Sequence, residues 1–254
     1  MKHFFIAFFA TITFFSCKKD VDNDSPSEGR LIEQRTGNEY VKLQYGSNGK
    51  IVKAIVLDEA ITDGEEVTYN IAYNAAGRIS EVTSNEGEVI RSEYANNRLV
   101  KAVILGDGQE IGHTDYHYEN GLLKEAEISS RFFNQSFTTM KFSFTYDAQQ
   151  RVKQSDLWML NPLTDELEPA GYTVMEYDTR KNPLVGFSDF MLLMWQVPAE
   201  NNVVKETQYF ADDTIDEIRE FNFTYNALQY PVQGIMRTTV NGQHVDTNLK
   251  FTYQ

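Results

Sequence analysis

The chain has 254 residues, with 23 Lys and Arg against 37 Asp and Glu, a formal net charge of −14 and a single cysteine. These values exclude a disulfide scaffold, a thiolate metal cluster and a general nucleic-acid binder acting through a positive field. The length allows one large or two modest domains, and 41% hydrophobic residues supply a real core.

The first element is an apolar run from Phe4 to Phe15 behind Lys2, closed by Ser16 and followed by Cys17. At about twelve residues it falls below the roughly eighteen needed to span a bilayer and fits the hydrophobic region of a secretory signal peptide. A small residue followed by cysteine resembles a bacterial lipobox. That resemblance implies that residues 1–16 are removed and that Cys17 carries a diacylglyceryl group as the mature N-terminus. Processing would leave 22 basic residues against 37 acids, a charge of −15. Residues 17–28 are polar, acidic and without apolar periodicity, and read as a flexible tether. Their Lys/Asp-rich start resembles the surface-export signal of Bacteroidetes lipoproteins, and Lys18 is not the Asp that favours inner-membrane retention. The expected location is the outer membrane, through a lipid anchor, facing the periplasm or the cell surface.

From residue 29 an internal repeat dominates. Its clearest copies are Tyr45 to Ile51, Tyr73 to Ile79 and Tyr146 to Val152: a Tyr, a turn, a basic residue, an aliphatic one. Weaker copies start at Tyr94, Tyr118, Tyr177 and Tyr225, with Pro183 and Pro231 read at the basic position of the last two. Asn202 to Lys205 lacks the Tyr. Gly29 to Ile32 keeps only the second half, and Phe251 to Tyr253 only the first.

Asn, Asp and Gly between alternating segments supply the left-handed angles of a tight turn, so each copy reads as a hairpin. Before each Tyr, apolar residues recur with period two, as in Phe142, Phe144 and Tyr146, with Lys141, Ser143 and Thr145 between them. Return strands start near Leu31, Ile51, Ile79, Leu99, Leu123, Val152, Leu184, Val203 and Val232. Counterpart turns are marked by Asp63-Gly64, Glu86-Gly87, Asp107-Gly108 and Asn241-Gly242. The expectation is one all-β domain over 29–254, an antiparallel meander of about 16–18 short strands. It should form a wide curled sheet or flattened barrel, whose lumen strand side chains alone cannot fill.

Two stretches look irregular, Asp156 to Ala170 and Phe187 to Pro198, and hold both Trp residues of the chain, Trp158 and Trp195. They are expected either to plug the sheet or to frame a ligand pocket in which Trp158 or Trp195 stacks on a glycan.

The Tyr-x-x-x-Gly-Arg-Ile form resembles the YD or RHS repeat family, whose tandem hairpins build β-sheet shells. Lipobox, acidic tether and degenerate repeats together resemble Bacteroidetes lipoproteins with a domain of unknown function and porin-like fold. The resemblance implies a wide antiparallel sheet or barrel and no catalytic residues; the chain is too short to enclose a protein, as toxin-bearing RHS shells do.

The remaining chemistry is sparse. No GxSxG, HExxH, Walker or GxGxxG pattern occurs. His113, Asp115 and His117 share one strand face and form a candidate divalent-metal set, against a solvated polar face as the simpler reading. The acidic run Asp212, Asp213, Asp216, Glu217 and Glu220 lacks the glycine and spacing of a calcium loop. Asp213-Thr214-Ile215 resembles a short O-glycosylation sequon. The expected function is a non-catalytic envelope lipoprotein with no cofactor, presenting its β-repeat domain to a glycan or protein partner or serving a structural role, and binding no nucleic acid. Two rivals are an envelope hydrolase with an unidentified carboxylate pair and a transmembrane β-barrel, since a lipid-facing band alternates in the same way.

Overall fold

The computed structural model describes residues 29–59, 62, 64–132 and 135–254. Cys17 and the segments expected to be a signal peptide and a tether lie outside the described residues, as does Asp63.

Sixteen strands follow one another as a meander. They are β1 (Leu31–Thr36), β2 (Glu39–Tyr45), β3 (Ile51–Leu57), β4 (Glu66–Tyr73), β5 (Ile79–Ser84), β6 (Val89–Ala95), β7 (Arg98–Gly106) and β8 (Gln109–Glu119). The second half comprises β9 (Leu122–Phe132), β10 (Gln135–Tyr146), β11 (Val152–Asn161), β12 (Glu166–Lys181), β13 (Asn201–Phe210), β14 (Ile215–Tyr225), β15 (Pro231–Val240) and β16 (Gln243–Tyr253). Every strand pairs antiparallel with its chain neighbours, and β1 pairs with β16, closing the barrel. Closure removes the exposed edges that an open meander would leave.

The repeat has a single structural meaning. In each copy the Tyr stands opposite the first inward-facing residue of the return strand: Tyr45 opposite Ile51, Tyr73 opposite Ile79, Tyr146 opposite Val152. A register shift follows each of these pairs. This bulge resets the phase of the return strand. Ile51, Ala54 and Val56 are therefore all buried, at a spacing of three and then two, as are Leu123, Ala126 and Ile128. Return strands that look apolar on both faces in sequence are strands whose phase changes at the bulge.

The register corrects three readings of the repeat. The second half at Gly29 to Ile32 and the first half at Phe251 to Tyr253 are one copy, joined where Leu31 pairs with Tyr253. The copy starting at Tyr177 does not return at Leu184; Tyr177 pairs with Val203, so Asn202 to Lys205 is the missing second half of that copy. Leu184 opens the inserted segment instead, which is why counting return strands overestimates by one. Pro231 occupies the position opposite Tyr225 and is fully buried, so it stands for the aliphatic residue and Tyr230 for the basic one.

Of the two irregular stretches, 187–198 leaves the sheet: a 3-10 turn (Val185–Phe187) runs into α1 (Ser188–Leu193). The stretch 156–170 does not. It runs along β11, turns at 162–165 and returns on β12. Its apolar cluster hides an ordinary alternation, with Leu157 buried opposite the core residue Phe142 and Trp158 opposite Lys141. Pro169 sits beside a register shift, where a missing N–H is tolerated.

The apolar face points inward. Leu31, Leu43, Ile71, Val82, Leu99, Tyr116, Phe144 and Leu249 join one buried cluster that includes the inserted segment. The outer face carries cross-strand ion pairs such as Lys101–Asp115 at 3.6 Å, Lys141–Glu125 at 3.6 Å and Arg237–Asp246 at 2.7 Å. A transmembrane barrel needs the reverse, an apolar band outside. The inner face also buries the polar residues Glu206, Gln208 and Arg219, and Arg219 Nε pairs with Glu217.

Candidate functional site at the plugged rim

All the Tyr turns gather at one end of the barrel, because strand direction alternates while the repeat spans two strands. There the Tyr hydroxyls knit adjacent repeats together. Tyr45 donates to the Leu31 carbonyl at 2.7 Å, Tyr73 to Ile51 at 2.8 Å, Tyr146 to Leu123 at 2.5 Å, Tyr177 to Val152 at 2.7 Å and Tyr253 to Pro231 at 2.6 Å. In these five the acceptor is the carbonyl of the residue that pairs with the preceding Tyr, whereas Tyr225 donates to Asp178 Oδ2. Burial pushes Tyr73 up to about 12, with the nearby Asp189 charge adding to the effect, and raises Tyr45, Tyr146's neighbour Tyr177 and Tyr253 further.

In five copies the basic residue then lies over the Tyr of the next. Arg30 sits 5.6 Å from the Tyr45 ring centre, Lys50 5.0 Å from Tyr73, Arg78 5.0 Å from Tyr94, Arg98 5.5 Å from Tyr118 and Arg151 4.7 Å from Tyr177. Each is within cation–π range. The turn glycine makes room for this reach. Gly77 has φ +76°, and a Cβ there would collide with Lys50 Nζ, which donates to the Gly77 carbonyl at 2.5 Å. Gly49, at the same φ, would place a Cβ 2.7 Å from Arg30 Nη2. Sequence reading finds the basic residue as part of the motif but assigns it no task; its recurrence next to a Gly is the available signal.

The insert enters this end as a plug. Helix α1 has six residues and no side-chain N-cap, so it depends on tertiary contacts. Phe187, Phe190, Met191 and Leu193 are buried in the main core, each worth about 1.5–3 kcal/mol of apolar transfer. Four polar contacts fix the plug to the wall formed by β4 to β8. Arg78 grips Asp189 with both Nε–Oδ2 at 2.8 Å and Nη2–Oδ1 at 2.5 Å, and Tyr94 donates to Asp189 Oδ2 at 3.3 Å. Tyr116 donates to the Leu192 carbonyl at 2.9 Å, and Trp195 Nε1 donates to the buried Thr114 hydroxyl at 2.9 Å. Burial opposes the Arg78 charge, but the Asp189 hydrogen bonds and charge outweigh it and raise its pKa. Asp189 is the one charge in the apolar stretch from Phe187 to Trp195, a signal that marks it as the clamp.

Trp195 ends the helix in a left-handed conformation, φ +58°, where glycine is usual. Its indole packs with Ile128, Met140 and Leu157 inside the barrel. Trp158 stands on the outer face with Lys141 Nζ 5.1 Å above its ring. The structure therefore does not bring the two Trp residues together, and neither lines the rim cavity.

That cavity, about 1230 Å³, lies between the plug and the rim of the first half of the barrel. Its walls include Arg30, Lys50, Arg78, Arg98 and Asn96, and its floor the plug residues Phe187 and Val197.

The other candidates disperse. His113 and His117 point outward, as their alternation with Thr114 and Tyr116 requires. His113 Nδ1 meets Glu110 at 3.0 Å, its Nε2 lies 3.2 Å from Asp115, and His117 lies 3.7 Å from Glu127. Among the described residues no three metal-ligating side chains converge on one ion position. The acidic run divides between faces. Asp212 accepts from the Thr214 hydroxyl at 2.5 Å and from Thr214 N at 3.0 Å in the β13–β14 turn, which together hold its carboxyl below the usual range. Asp213 accepts from Tyr172 at 3.0 Å, Glu217 faces inward to Arg219, and Glu220 lies opposite Lys205.

Comparison with known proteins agrees with this architecture. The sequence matches the family described as Teneurin YD-shell over residues 30–230. No curated protein matches. Among solved structures, the chain is similar to a porin-like protein from Bacteroides uniformis, with TM-score 0.60 and 11% identity over 91% of this chain and 98% of that one. A porin-like protein from Bacteroides vulgatus gives TM-score 0.59 and 11% identity over 89% and 99%. At these identities the likeness is one of fold.

Proposed function

The chain belongs to the teneurin YD-shell family, and from that premise we propose that it is a lipid-anchored outer-membrane protein whose plugged β-shell binds a ligand at its rim. Cys17 carries the anchor, residues 17–28 lift the shell from the bilayer, and the rim cavity is the binding surface. The observation that carries this reading is the cavity itself: about 1230 Å³, walled by side chains that the repeat holds in place. Pockets of this size and pre-organisation are where ligands are bound. The apolar interior and charged exterior support a shell standing outside the hydrocarbon, with the acyl chains as its attachment.

Binding is favoured over hydrolysis by the same cavity. A glycoside hydrolase needs two carboxylates flanking the scissile bond. Among the described residues the only carboxylate lining the cavity is Asp189, and both of its oxygens are held by Arg78.

The anchor is tested by labelling cells with radioactive palmitate. Label in the outer-membrane fraction, lost in Cys17→Ser, is the expected result; an unlabelled protein in the soluble periplasmic fraction contradicts it.

A further inference from the structure

The geometry points to an acidic oligosaccharide as the ligand of the rim cavity, a specification that rests on the binding role proposed above. The cavity wall concentrates cations in a chain of net charge −14. Arg30, Lys50, Arg78 and Arg98 line it against the single carboxylate of Asp189. Arg78 is neutralised by that carboxylate. Lys50 is held by a carbonyl and an aromatic ring, and Arg30 and Arg98 by aromatic rings, so their positive charges have no carboxylate partner among the described residues.

In the later copies the same repeat position adds no further cation of this kind. At the same repeat position in the second half of the barrel, Arg151 is paired with Asp147 at 2.8 Å, Leu122 carries no charge and Tyr230 replaces the base. Arg180 and Lys181, at the end of β12, also lie over rings, those of Tyr225 and Tyr230, but neither lines the cavity.

Spacing selects an extended ligand. Arg30, Lys50 and Arg78 immediately precede β1, β3 and β5, and Arg98 opens β7, so successive cations are two strands, about 10 Å, apart. One phosphate or sulfate cannot bridge them; an oligomer with repeated carboxylate or sulfate groups can. An extended acidic peptide would gain most by adding a strand to a sheet edge, and a closed barrel has none. A long nucleic acid would meet the negative field of the whole chain. The Asn96 carboxamide on the same wall adds a donor and acceptor suited to hydroxyl groups.

The test uses the full chain in mild detergent and a panel of oligosaccharides matched in length, with and without carboxylate or sulfate groups. An acidic peptide of equal charge and inorganic phosphate complete the panel. Acidic oligosaccharides should bind, and Arg30→Gln, Lys50→Gln and Arg98→Gln should each weaken binding about five- to tenfold. Arg98→Lys should retain most of it, and the outer-face Lys141→Gln should leave binding unchanged, with melting temperatures showing that every variant is folded. Equal binding of neutral oligosaccharides, equal binding of the peptide, full competition by phosphate at equal concentration, or indifference to the three rim substitutions overturns this assignment while leaving a rim binder standing. If neither the panel nor any unbiased ligand screen yields a ligand sensitive to rim substitutions, the binding role falls with it.

Discussion

Tyr253 and Leu31 stand opposite each other across the barrel seam, the last aromatic of the chain against the first residue of its first strand. Each completes the half-repeat that the other lacks, and the Tyr253 hydroxyl continues the ring by donating to Pro231 at 2.6 Å. The barrel is thus closed by the same pair that builds every other turn.

That closure sets the cost of disturbing the seam. Tyr253→Phe removes one hydrogen bond and should lower stability by about 1 kcal/mol. Tyr253→Ala also removes a packed ring and should cost about 3 kcal/mol or more. Urea unfolding of the two variants measures both; equal midpoints for wild type and Tyr253→Ala would show that the seam contributes nothing.

The plug should be separable from the wall. Asp189→Asn leaves the Arg78 guanidinium, a partly buried charge, without its carboxylate, at a cost of about 2 kcal/mol. Amides at 185–199 should exchange faster with deuterium while those of β4 and β5 keep their protection. Unchanged exchange in the plug would mean that apolar packing alone holds it.

Trp195 pays for its left-handed backbone with the indole bond to Thr114. Trp195→Phe and Thr114→Val should each destabilise by about 1–2 kcal/mol, and a double-mutant cycle should show coupling of about 1 kcal/mol between them. Additive effects would contradict a direct bond.

Alkaline pH should unfold the shell through its tyrosines. Burial raises Tyr69, Tyr73 and Tyr118 to about 12 in the folded state, from the ordinary phenol value of about 10 when exposed. A group that holds its proton more tightly when folded stabilises fully below the unfolded value, and that contribution is lost as pH rises from 10 through about 12. Phenolate absorbance should therefore rise together with loss of the β-sheet circular dichroism signal. Titration of these phenols near pH 10 with the sheet intact would contradict the account.

Much of this was legible in the sequence because the repeat couples chemistry to position. A Tyr followed by a turn, a base and an aliphatic residue marks the rim end of every hairpin, and period-two runs such as Phe142, Phe144 and Tyr146 mark the inner face. The bulge beside each Tyr was hidden, since a phase shift in β3 looks like apolar residues on both faces. Joining Tyr177 to Val203 was hidden too, because local reading cannot tell a degenerate repeat from one split by an insert. The cavity cations were visible as letters, but that Arg30, Lys50 and Arg98 lack acidic partners among the described residues while Arg151 has Asp147 is a fact of three dimensions.

The central claim, a shell with its apolar face inward that is held to the membrane only by its lipid, is tested most directly by sedimentation of the chain from residue 17 onward carrying Cys17→Ser. In detergent-free buffer it should sediment as a single, folded, monodisperse species. Aggregation that only detergent relieves would place the apolar face outside and make the protein a membrane-spanning barrel.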